Sequence, residues 1–153
     1  MSLFIRVDIA DAEAMLDGLA GDAEAAARPA AQAMAQVFYD AVRANVARIR
    51  RKSGNLAGSI YQAFSQDNSA EGRATYHVSW NAKKAPHGHL VEYGHLQKYL
   101  VTIDERGRFI THKDKPLATP IQIAGRPFIR PAMDHAERAR AAGVAEFYRR
   151  LGL

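Results

Sequence analysis

Nine consecutive residues, His87-Gly88-His89-Leu90-Val91-Glu92-Tyr93-Gly94-His95, hold three of the chain's six histidines together with a carboxylate, a tyrosine and two glycines. Imidazole and carboxylate groups at this density offer two chemistries, metal ligation and proton transfer. On a strand, His87 and His89 would point to the same side, and Glu92 or His95 would complete a ligand set. Neither the helical two-histidine zinc motif nor a cysteine pair accompanies them, and the glycines leave the local backbone undefined. The expectation is therefore no metal site, no cofactor and no catalytic residue.

Other catalytic arrangements find less support. Ser53, Ser59, Ser65 and Ser79 lack a nucleophile elbow. Glu92 is the only acid between Glu71 and Asp104, so no carboxylate pair is placed there for glycosidic chemistry. Gly54 and Gly58 are not followed by the Lys-Ser or Lys-Thr of a phosphate-binding loop.

The elements that must position these residues can be read from the pattern. A chain of 153 residues, 48% hydrophobic and 24% charged, reads as one soluble domain spanning 1–153. No run is long enough for a membrane span, no signal peptide is recognisable, and the absence of cysteine fits a reducing compartment. The net charge of +5 is uneven: residues 1–40 carry seven acids and two bases, residues 41–153 nine acids and nineteen bases. Such a split suits either nucleic acid contact or a subunit whose acidic face meets a neighbour's basic face.

Leu3–Ile9 reads as a strand or extended lead-in. A short helix is expected from Asp11, ended by Gly21, followed by a main helix from Asp22 to Arg51 with Pro29 in its first turn or at a kink. Ala30, Met34, Val37, Phe38, Ala41, Val42, Asn45 and Ile49 form its apolar face. The basic run Arg48, Arg50, Arg51 and Lys52 reads as a helix C-terminus, with phosphate or partner contact as the alternative. Gly54 then stops the helix.

A hairpin is expected from strands starting near Ser59 and at Arg73–Trp80, with Tyr76, Val78 and Trp80 on one face. A second is expected from Tyr99–Ile103 and Arg108–His112, followed by a Pro116–Pro120 loop. Arg126–Arg130 should be extended before two restricting prolines, and Pro131 should open a final helix. That helix carries Met133, Ala136, Val144, Phe147 and Leu151 as its apolar stripe. The order argues for an α+β fold: a long N-terminal helix and a C-terminal helix on a small, mostly antiparallel sheet.

Three blocks recur in a suggestive order: Ser53-Gly54-Asn55-Leu56-Ala57-Gly58-Ser59-Ile60, then Leu90-Val91-Glu92-Tyr93-Gly94-His95, then Gly125-Arg126-Pro127-Phe128-Ile129-Arg130-Pro131-Ala132. Across about residues 10–150 this set resembles the tailed-bacteriophage minor tail component family, also described as tail-completion or head–tail joining proteins and common in prophages. That family's pattern is Thr-Gly-x-Leu-x-x-Ser-Ile, Val-Glu-Tyr/Phe-Gly-Thr and Arg-Pro-Phe-x-x-Pro-Ala. Here Ser53 and His95 stand for threonines, and a hairpin insertion at about 97–123 is longer than in compact members.

The resemblance implies a non-enzymatic virion protein of the tail or neck, assembled in the host bacterial cytoplasm. It also implies a homo-oligomeric ring, expected to be a hexamer, whose partners are tail-tube and head-connector proteins, with no membrane partner and no specific nucleic acid contact. Gly54, Leu56, Ser59, Ile60, Glu92, Tyr93, Gly94, Arg126, Pro127, Phe128 and Pro131 become the candidate assembly or structural residues. For Gly54, Gly94 and the prolines, backbone geometry is an equal reading; Phe128 reads as core; Glu92 reads as a turn cap or a partner of Arg126 or Arg130. The alternative function is a small basic nucleic-acid-binding or ribonuclease-like protein. In it Arg48–Lys52 would sit on phosphates, with His87, His89 or His95 as acid–base groups.

Overall fold

The computed structural model describes residues 10–49 and 54–153. The expected Leu3–Ile9 strand, and Arg50, Arg51 and Lys52, lie outside the described residues. The architecture is α+β: a long N-terminal helix, a C-terminal helix and two small antiparallel sheets.

Helix α1 runs unbroken from Ala10 to Arg48, in place of the two helices expected. Gly21 does not stop it, and Pro29 lies inside it. The run of alanines explains this. Alanine has the highest helix propensity, and its sum over the segment outweighs two glycines, Gly18 and Gly21, at about 1 kcal/mol each. Pro29 forfeits a backbone donor and crowds the carbonyl four residues back, at a cost of about 3 kcal/mol, while fixing a φ that the helix already requires.

The 3₁₀ turn Ala57–Ser59 leads into β1 (Ile60–Phe64), which pairs with β2 (Tyr76–Trp80). Helix α2 (Gly88–Tyr93) is followed directly by β3 (Gly94–Ile103) and β4 (Phe109–Ala124). These two strands form an antiparallel ribbon. Most of the histidine-rich stretch is thus a helical turn, with His87 just ahead of it and Gly94 and His95 in β3, which removes the same-side argument for His87 and His89.

The second hairpin is longer than expected, because β4 continues through the Pro116–Pro120 segment. In a two-stranded ribbon every strand has an open edge, where a missing N–H costs no ladder bond. The register shifts between Gln97 and Tyr99 and between Tyr99 and Leu100 absorb the extra length of β4, and Pro116 sits between them opposite Tyr99.

Arg130–His135 forms a second 3₁₀ turn ahead of α3 (Ala136–Leu151). Pro131 therefore opens the 3₁₀ turn instead of the final helix, and the extended stretch ends earlier than expected, since Ile129 is already helical (φ −86°, ψ −52°).

The chain divides into two compact units. One comprises the described part of Met1–Val37 with Ala63–His77 and Glu137–Leu153. In it, α3 buries Ala139 and Gly143, while Val144, named in the expected stripe, is exposed; Met133, also named there, lies ahead of α3 in the Arg130–His135 turn and is exposed. Small residues win this face because the approach is close: a Cβ on Gly143 would stand 2.5 Å from Met34 Cγ. Phe64 meets Tyr76 edge-on, and the Arg28 guanidinium lies 4.1 Å over the Phe64 ring.

The other unit, Phe38–Gln62 with Val78–Ala136, holds the larger core. Val42, Val46, Leu56, Ile60, Ala85, Phe128 and Ala132 are buried together, with Trp80 meeting Phe128 edge-on. Gly88 is glycine because a side chain there would run into the Trp80 indole.

Candidate functional site

Within the second unit the second and third sequence blocks meet at Glu92, while Leu56 and Ile60 of the first pack in the core with Phe128. This carboxylate is fully buried, on the inner face of α2. Its Oε2 accepts the N–H groups of Phe128 (2.7 Å) and Ile129 (3.0 Å). Its Oε1 accepts the N–H and the Nε of Arg130, both at 3.1 Å. Those N–H groups open the Arg130–His135 turn and have no partner within it, so Glu92 caps that turn from a distant part of the chain. Arg130 also donates from a terminal guanidinium nitrogen to the Glu92 carbonyl at 2.9 Å. Its guanidinium carbon lies 5.1 Å from the centre of the Tyr93 ring.

Burial pushes the Glu92 pKa up. The backbone donors of Ile129, Phe128 and Arg130, with the guanidinium, more than offset this, and the net result lies below 4.5. A carboxylate offers about four lone-pair positions, and here all are taken. Glu92 is thus an anion at neutral pH with no acceptor capacity left for a metal, a substrate proton or a partner's arginine.

Two glycines bring the strands of this joint together. Gly94 has φ 77°, and a Cβ there would run into the Ile123 carbonyl oxygen. A Cβ on Gly125 would lie 2.8 Å from the Gly94 nitrogen and 2.9 Å from the Glu92 carbonyl oxygen. Arg126 N–H donates to the Val91 carbonyl at 2.7 Å, fastening the third block to α2.

The remaining candidates fall into two sets. Leu56, Ser59, Ile60 and Phe128 are interior, with the Ser59 hydroxyl donating to the Leu56 carbonyl at 2.7 Å. Gly54, with φ 78°, borders a shallow depression shared with Asn55, Gly58 and Lys84. Arg126, Pro127 and Pro131 line another, with Asn45, Arg48 and Ile49. Tyr93 is 67% exposed. His87, just ahead of α2, and His89, on it, are exposed. Among the described residues, no group of three or more His, Asp or Glu stands together as a metal site.

Two contributors were not singled out from sequence. Asn45 donates to the Phe128 carbonyl at 3.0 Å. A polar residue in the apolar stripe of α1 is the signal that would have marked it, since a buried amide needs a partner. Gly125 carried a weaker one, a glycine directly ahead of a proline-bounded block.

The family model described as "Bacteriophage HK97-gp10, putative tail-component" matches residues 10–94. The chain belongs to the HK97-gp10-like family. It is accordingly a phage tail-related structural protein. The matched region takes in α1, the Gly54–Ile60 block and α2 as far as Gly94; the ribbon and the Gly125–Ala132 block lie beyond it. Comparison with curated proteins and with solved structures gave no match. Among the described residues, no helix is long and apolar enough to cross a membrane.

Proposed function

We propose that this HK97-gp10-like protein completes the tail tube or joins it to the head connector, working as a homo-oligomeric ring, expected to be hexameric, in the virion tail or neck after assembly in the bacterial cytoplasm. It acts through protein contacts and performs no catalysis. One observation carries this reading: the β3–β4 ribbon offers a large exposed apolar surface for assembly. No residue from Gly94 to Ala124 is buried, and Leu96, Leu100, Ile103, Phe109, Ile110 and Ile121 are exposed along it. A two-stranded ribbon is marginal by itself in water, and large apolar residues on its open faces suit coverage by another protein.

The Glu92 joint supports the same reading. Its carboxylate fastens the base of the ribbon to the core, so the ribbon is held at a defined root while its body is free to engage. In the phage that encodes the chain, deletion of Lys98–Pro120 should give particles lacking finished, attached tails. Normal yields of infectious, fully tailed particles would refute the assignment of the ribbon to assembly.

A further inference from the structure

Besides the ribbon, a second exposed apolar surface carries the opposite charge. Early in α1, Met15 (68% exposed), Leu16 (65%) and Leu19 form a stripe at helical spacing. Asp17, Asp22 and Glu24 surround it, with no base between Ala14 and Ala27. The ribbon carries Lys98, Arg106, Arg108, Lys113 and Lys115 against Asp104, Glu105 and Asp114. Its register sets Ile103 opposite Phe109 and Val101 opposite Thr111, so these side chains share one face. Ile103 is 59% exposed and Phe109 54%.

We propose that the ribbon face bearing Ile103 and Phe109 docks on the acidic, apolar-striped start of α1, around Met15, Leu16 and Leu19, of a second copy of the chain. Apolar surface meets apolar surface, and a basic element meets an acidic one. The contact joins two different patches, so it is heterologous and propagates from copy to copy until a rotation closes it. That is the geometry a ring requires. This inference rests on the assembly reading above and adds to it which surfaces touch.

The chain contains no cysteine, which allows a direct test. Leu19→Cys and Ile103→Cys are made as separate single variants of the full chain; both positions are exposed, so neither substitution threatens the fold. Mixed under mild oxidation, the two should give the Leu19–Ile103 intermolecular disulfide several-fold in excess over either homodisulfide. The yield should fall in molar salt as the charge attraction is screened. Homodisulfides of Ile103→Cys as the main product, or no disulfide at all, would each overturn the proposed contact. The tail-component reading is checked separately, by whether the unmodified protein binds tails. Tail binding without the mixed disulfide sinks this contact alone, and the mixed disulfide without tail binding sinks that reading.

Discussion

At Glu92, a carboxylate without access to solvent collects three backbone donors and one guanidinium nitrogen. Replacing it with glutamine leaves one acceptor oxygen and turns an N–H₂ group toward donors. Glu92→Gln should cost about 2–4 kcal/mol, from unsatisfied buried N–H groups and loss of charge-assisted bonds. For a chain of this length that is a fall in Tm of about 5–15 °C. Arg130→Ala should cost less, about 1 kcal/mol, because the backbone donors keep their acceptor and the arginine side chain is 60% exposed. Calorimetry on the two variants decides the ranking; equal losses would mean that the ion pair, and not the cap, is the main interaction. The sign of the pH effect follows from the lowered Glu92 pKa. Its stabilisation is complete above the unfolded value of about 4.5 and disappears as pH falls through the folded value. Acid titration of stability should therefore be flatter below pH 4.5 in Glu92→Gln than in the parent. Glu146, lowered to about 2 by hydrogen bonds from Arg149 and Arg150, remains in both proteins.

Among the elements, the ribbon and its root behave differently. Gly94→Ala would combine a left-handed φ with a collision against backbone, which cannot yield as a side chain can, and should cost more than about 2 kcal/mol. Gly107→Ala, at φ 74° with open space around it, should cost about 1 kcal/mol. Urea titrations of the pair separate strain from collision, and similar losses would remove the close approach at Gly94 as an explanation. Amide exchange offers a second check: in the unassembled chain the body of β3–β4 should exchange far faster than α1 between Val42 and Val46, and slow on assembly. Exchange as slow as the core in the free protein would show that the ribbon needs no partner.

The same elements show what was legible in the sequence. Periodicity located α1, both hairpins and the C-terminal helix, because each rests on a local repeat of apolar residues. It misplaced the break at Gly21, where the propensity of the surrounding alanines prevailed over a single stop signal. It read Pro116 and Pro120 as a loop because a proline's lost donor matters only on an inner strand. The buried face of α3 escaped because Ala139 and Gly143 pack by closeness, which hydrophobicity does not register. The Glu92 clamp was half visible: an isolated acid and two candidate arginines could be named. That three backbone N–H groups would converge on the acid is a property of the folded chain, and no spacing encodes it.

For the whole molecule, the uneven charge is the broadest feature. Seven acids and two bases in residues 1–40, against nineteen bases and nine acids thereafter, favour head-to-tail association over pairing of like faces. Self-association measured by sedimentation should therefore weaken as salt rises, since exposed charges are screened beyond about 10 Å at 0.1 M. Association that strengthens with salt would point to a purely apolar contact. The most direct measurement is electron microscopy of the parent phage particles beside particles whose gene for this chain carries an early stop codon. Density for the chain should form a closed ring at the end of the tail tube in the parent, and the stop mutant should yield heads and tails that are unfinished or unjoined. Complete tailed particles assembled without the protein would contradict the central claim.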